Sequence, residues 1–171
     1  MLGPLRIQNA LRWTVIALGA CLLVSCARPT ERETTPCTLT LRAGESLQAA
    51  IDRAPAGAVI CLPSGTWNES IRVTKPLTLR GAGPEKTTVH GAQLAQPVIW
   101  VGPVTEPGAP IVIVGITFTG AIGSCSEPRG CAHGLLVEGA AVVQIERCTL
   151  SENAGNGVFL RGAARVTITD S

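Results

Sequence analysis

Apolar and polar residues alternate in short runs along most of this chain. Ile71-Arg72-Val73, Ile111-Val112-Ile113, Val143-Gln144-Ile145 and Val166-Thr167-Ile168 each put two aliphatic side chains on one face of an extended segment. Runs of this kind predict strands over Cys37–Leu41, Ile60–Leu62, Ile71–Val73, Leu77–Leu79, Val98–Val101, Ile111–Val114, Ile116–Phe118, Leu135–Val137, Val143–Ile145, Cys148–Leu150, Val158–Leu160 and Val166–Ile168. Gly, Pro, Asn and Ser punctuate them as turn residues. One stretch has a different period. Leu47, Ala50, Ile51 and Ala54 fall at helical spacing, Ser46 can cap the N-terminus, and Pro55 and Gly57 end the segment.

The strands repeat. Laid over Gly157–Ser171, the segment Gly134–Cys148 matches at Gly134/Gly157, Gly139/Gly162, Ala140/Ala163, Ala141/Ala164, Val143/Val166 and Ile145/Ile168, an offset of 23 residues. The pattern extends backward. Leu77 and Leu79 align with Ile111 and Ile113, and these with Val143 and Ile145, while Ile116 and Phe118 align with Cys148 and Leu150. Turn lengths vary and strand patterns persist, which is the signature of a solenoid whose units bury one another's open faces. The helix is placed to cover the first end. The second copy stops at Ser171, so the sequence is expected to be truncated, or its last rung to be capped by another chain.

Composition agrees with small stacked turns. Of the 171 residues 46% are hydrophobic and 15% charged; there are 19 Gly and three Trp, two Phe and no Tyr. The first 25 residues stand apart. Arg6 and Arg12 precede an apolar stretch, Trp13–Ser25, shorter than the ~20 residues of a membrane span, which reads as an export signal. Its end, Leu23-Val24-Ser25-Cys26, resembles the bacterial lipobox, which implies lipid attachment at Cys26 and a membrane partner through that lipid. Ala27 follows, without the Asp of inner-membrane retention. The expected location is therefore the cell envelope, at the outer membrane or the outer face of the cytoplasmic membrane. Residues 26–36 read as a lipidated tether and 37–171 as the folded domain. Without Arg6 and Arg12 the basic residues number 14 − 2 = 12, against 12 acidic. A neutral chain offers no basic stripe, which argues against nucleic acid as a partner.

Six of the seven cysteines, Cys26, Cys37, Cys61, Cys125, Cys131 and Cys148, remain after export, where disulfides persist. Cys125 and Cys131 bracket a loop and form the first candidate pair; Cys37 and Cys61 form the second. Cys148 sits in an apolar column and reads as a buried thiol. A metal site at Cys125, Cys131 and His133 is the rival reading, but no CxxC or His-rich spacing supports it. His133 is expected as a surface residue beside the disulfide.

Three motifs carry a resemblance. Glu45-Ser46-Leu47-Gln48-Ala49-Ala50-Ile51-Asp52, Pro63-Ser64-Gly65-Thr66-Trp67 and Lys75-Pro76-Leu77-Thr78-Leu79-Arg80-Gly81 resemble the capping helix, the turn and the following strand of pectin-lyase-like parallel β-helix proteins. Asn153–Val158 fits a later step of that pattern, with Asn153 a candidate for a side chain stacked in a turn. The resemblance implies an all-β, right-handed parallel β-helix with a short N-terminal capping α-helix. It also implies association with polysaccharide, either binding or processing, by a lyase or glycoside hydrolase if the chain is an enzyme. A non-catalytic scaffold, or a periplasmic accessory in metal maturation, are the alternatives on the same fold.

The resemblance does not transfer a catalytic cluster. The family's enzymes use grouped carboxylates, with Ca²⁺ in some, whereas the two Asp here, Asp52 and Asp170, lie far apart. Glu146 and Asp170 fall on opposite faces by strand alternation, so they cannot flank one substrate. No cofactor is evident, and Ca²⁺ enters only by family analogy. The positions that remain are the outward ones of one strand column. Arg72, Trp100, Leu136 and Phe159 align as a stripe on rungs ~4.8 Å apart. Such a stripe either stacks on sugar rings or lies beneath a covering loop.

Overall fold

The structure, a computed structural model, describes residues 35–91, 93, 95–104, 109–123 and 131–171. After β1 (Leu39–Thr40) and helix α1 (Leu47–Arg53), the chain winds through coils of three short strands each. The first coil is β2 (Val59–Leu62), β3 (Gly65–Asn68) and β4 (Ile71–Val73); the second is β5 (Thr78–Gly81), β6 (Thr87–His90) and β7 (Ile99–Val101). The third is β8 (Ile111–Val114), β9 (Thr117–Thr119) and β10 (Leu135–Gly139); the fourth is β11 (Val142–Glu146), β12 (Thr149–Leu150) and β13 (Val158–Gly162). β14 (Arg165–Thr169) opens the next turn.

Each strand pairs in parallel with its counterpart one coil away. The result is three sheets: a first of order β1-β2-β5-β8-β11-β14, a second of order β12-β9-β6-β3, and a third of order β13-β10-β7-β4. The fold is a right-handed parallel β-helix. The aligned columns hold: Leu79 pairs with Ile113, Ile113 with Ile145, and Ile145 with Ile168. Leu150 pairs with Phe118.

Alternation sends one side chain of each pair inward. Ile60, Leu79, Ile113 and Ile145 from the first sheet meet Trp67, Val89 and Phe118 from the second and Ile71, Ile99, Leu135 and Val137 from the third, in one continuous core. Because these residues are buried on successive rungs, each coil removes the apolar surface of the last from water, worth roughly 25 cal/mol per Å².

The first end is closed by three devices. Helix α1 buries Leu47, Ala50 and Ile51. Ser46 Oγ accepts the Ala49 N–H at 3.2 Å, as an N-cap does. The Cys37–Cys61 disulfide ties the chain before β1 to β2.

Two strands were not foreseen. Gly65–Asn68, expected as a turn, is β3, and Thr87–His90 is β6; together they start the second sheet. Their inward residues explain why. Thr87 is fully buried, its hydroxyl donating to Pro63 O at 3.1 Å and accepting the Ala82 N–H at 2.9 Å, so a core position carries a polar residue. β1 is also shorter than Cys37–Leu41.

The corner between the first and second sheets turns through one left-handed residue on successive coils: Gly115 (φ 65°), Arg147 (φ 49°) and Asp170 (φ 55°). Glycine meets this requirement without strain; the two later coils use side-chain residues instead. Asn153 ties another corner to the coil before it. Its Oδ1 accepts the Ala121 N–H at 3.1 Å and its Nδ2 donates to Phe118 O at 3.2 Å. The expected stacking role is thus a hydrogen-bonding one, directed at the neighbouring backbone.

Candidate functional site

The outward face of the third sheet gathers the residues with the most chemistry. Strand register aligns Arg72 with Trp100, Trp100 with Leu136, and Leu136 with Phe159, so the expected row exists. Its members differ in exposure. Arg72 is exposed, Trp100 and Phe159 are half-buried, and Leu136 is only 2% exposed. The row is therefore covered at the Leu136 rung and open at the Arg72 rung.

Trp100 is held on several sides. Its indole N–H donates to Glu138 Oε2 at 2.9 Å. A Cβ added to Gly102 would stand 3.2 Å from Cζ2 and 3.5 Å from both Cε2 and Cη2. Near-equal distances to three consecutive ring atoms put that point over the ring's face and not its edge. The indole therefore lies along its own strand, in the space that the missing side chain of Gly102 leaves. The Arg72 guanidinium carbon lies over the ring, 4.1 Å from its centroid. This is cation–π geometry, worth about 0.5–1 kcal/mol at an exposed site.

Glu138 is 4% exposed, and Arg161 Nη1 lies 3.5 Å from its Oε1. Arg161 is the residue paired with Glu138 on the adjacent rung. A carboxylate this deep is sustained by donors on both oxygens, and removing them would leave a buried charge uncompensated. Neither Glu138 nor Gly102 was evident from the sequence. The outward charge after Leu135-Leu136-Val137 hints at Glu138, but the partner of Trp100 emerges only once the register between β7 and β10 is known.

At the other end of the row Phe159 stacks on His133, with ring centroids 4.8 Å apart and planes 3° from parallel. His133 is 2% exposed, and its Nδ1 accepts the Asn156 N–H at 3.0 Å. This corrects the expectation of a surface histidine: the flat Phe159 ring and the Asn156 amide draw it under the turn that follows β12.

The cysteines sort into three groups. Cys37 and Cys61 form the second expected disulfide. Cys131 is disulfide-bonded, while Cys125, its expected partner, lies outside the described residues, as does Cys26. Cys148 is a free, buried thiol, as its column predicted. The register sets Glu146 against Thr169, so Glu146 and Asp170 do not form a matched pair. Among the described residues no three His, Cys, Asp or Glu side chains converge.

No known protein family matches the chain by sequence profile, and no curated protein matches it. Among solved structures it is similar to a pectin methylesterase mutant in complex with hexasaccharide IV, with a TM-score of 0.55 and 16% identity over 78% of this chain. The match takes in 50% of that protein, so the chain spans about half its length. At this identity the likeness is one of fold, and the class it defines is the parallel β-helix.

Proposed function

We propose that this protein is exported, lipid-anchored at Cys26 and bound to the cell envelope, where it binds polysaccharide along the outer face of its third sheet. The observation that carries this reading is the fixed indole of Trp100. It is held by Glu138 and Gly102 on an outward row that also contains Arg72 and Phe159. An aromatic face offers sugar C–H groups a negative, planar surface, and pre-fixing it lowers the ordering cost of binding. The regular rungs suit a polymer with a regular repeat. The pectin methylesterase with this fold was crystallised with a hexasaccharide, which supports a sugar polymer as ligand.

Binding is favoured over turnover. Among the described residues Glu138 is the carboxylate that reaches Trp100, whereas acid/base work on a glycosidic bond takes two carboxyl groups on either side of it.

The test is glycan binding by the detergent-solubilised full chain. Trp100→Ala is expected to weaken binding at least tenfold, and Phe159→Ala less, with the circular dichroism spectrum unchanged. Unchanged affinity in both variants removes the reading. For the anchor, Cys26→Ala is expected to abolish palmitate labelling and to move the protein into the aqueous phase on detergent partition; continued labelling refutes it.

A further inference from the structure

We propose that Arg72 is a displaceable cover over Trp100, one that makes this face select polysaccharides bearing negative charge. The proposal rests on the reading of the third sheet as a sugar platform.

Among the described residues three groups surround the indole. Its underside lies on Gly102, whose N–H is bonded to Val73 O at 3.1 Å, and its N–H edge is bonded to Glu138. The Arg72 guanidinium lies over the ring, 4.1 Å from its centroid. A sugar ring stacks at van der Waals distance, so it cannot occupy the covered face until the guanidinium leaves it. Of the groups around the ring, Arg72 is the one free to move. It is exposed, and among the described residues its guanidinium makes no ion pair.

The backbone of Arg72 stays in place when the side chain swings. Gln48 holds it from helix α1: the Arg72 N–H donates to Gln48 Oε1 at 2.7 Å, and Gln48 Nε2 donates to Arg72 O at 3.2 Å. The amide side chain thus stands in for a neighbouring strand at the edge of β4. The displaced guanidinium is consequently held next to whatever has replaced it, tethered by its own side chain.

The charge of the ligand then decides the balance. A neutral ring that displaces the guanidinium gives up the cation–π contact and returns nothing ionic. That is a penalty of about two- to fivefold in affinity. A carboxylate or sulfate on the ring accepts charge-assisted, bidentate hydrogen bonds from the same guanidinium. Arg161 is engaged with Glu138 on the neighbouring rung, whereas the Arg72 guanidinium makes no ion pair among the described residues.

Two matched pairs of polymers test this on the full chain in detergent: polygalacturonate with its fully methyl-esterified form, and dextran sulfate with dextran. The unmodified protein is expected to prefer the charged member of a pair by about tenfold or more. Preference in the first pair alone assigns the carboxylate, in the second alone the sulfate, and in both the charge itself. Arg72→Ala is expected to strengthen neutral binding about two- to fivefold and to weaken charged binding by roughly tenfold. Arg72→Lys should retain part of the charge preference.

A second measurement needs no ligand. Arg72→Ala should raise the acrylamide quenching of indole emission above that of the parent, since Trp13 and the buried Trp67 are common to both and Trp100 is the ring uncovered. If quenching is unchanged, or if Arg72→Ala shifts both members of each pair equally, the cover is overturned. The platform reading survives that result so long as Trp100→Ala still abolishes binding. If Trp100→Ala has no effect, or if none of the four polymers binds, the platform fails and the cover with it.

Discussion

Burial pushes the pKa of the Cys148 thiol above its ordinary 9.0, while hydrogen bonds with the backbone of Ile116, Gly115 and Glu146 and the nearby charge of Arg147 pull less strongly the other way. The folded chain therefore keeps a proton that the unfolded chain loses sooner. This contribution to stability is complete below the unfolded pKa, near 9, and drains away as the pH climbs from there toward the folded value. Between pH 8 and pH 10 the protein should lose more stability than its Cys148→Ala variant, read from urea midpoints at the two pH values. Equal losses would mean that the thiol titrates as it does in solvent. At this scale the sequence was partly legible. An apolar column identifies a buried cysteine, and strand alternation identifies Arg72, Trp100, Leu136 and Phe159 as one row. Gly102 escapes notice because its contribution is a missing side chain, felt only by an indole that has chosen to lie along the strand. Glu138 and His133 escape because their partners come from other coils.

The elements were legible wherever aliphatic residues mark the inward face. The first and third sheets meet that condition. The second sheet meets it only in β9 and β12: β3 relies on Trp67 alone, and β6 on Val89 beside a buried threonine. Helix α1 shows the same limit. Its apolar spacing and Ser46 are plain in the sequence, but the strongest contact at its N-terminus comes from elsewhere. Glu69, which lies between β3 and β4, accepts the N–H groups of Leu47 and Gln48, each at 3.0 Å, and the Ser46 hydroxyl at 2.9 Å. Carboxylate at a helix N-terminus satisfies amides that have no partner within the helix. Glu69→Ala should destabilise the domain by about 1–2 kcal/mol in chemical denaturation, with Glu69→Gln losing less. Faster hydrogen exchange at the Gln48 amide would locate the effect; a variant as stable as the parent would show that Ser46 suffices.

Across the whole molecule, stability should be graded along the axis. Ile145 and Val137 are 2% and 0% exposed, whereas Ile168 and Leu160, their partners on the following rung, are 49% and 46% exposed. β1, at the opposite edge of the first sheet, is secured by the disulfide beside it, and β4, the first strand of the third, is met by helix α1. In a stack of nearest-neighbour interfaces, a rung with one neighbour opens before a rung with two. In the 171-residue chain, amide exchange is expected to be fastest in β13 and β14, where Ile168 and Leu160 are exposed, and slowest in β5, β7 and β8. Uniform protection along the axis would point to a single cooperative unit instead.

The corner that joins the second sheet to the third has a further consequence. Between Asn68 and Ile71 the chain crosses it in two residues, Glu69 and Ser70, while between Thr119 and Leu135 the sequence has 135 − 119 − 1 = 15, yet β9 and β10 keep their register with β6 and β7. The ladder sets the pitch and is indifferent to the length of the excursion. New segments could be grafted there, or existing ones exchanged, without renegotiating the core. This corner is where such a molecule can acquire a different specificity while remaining the same scaffold.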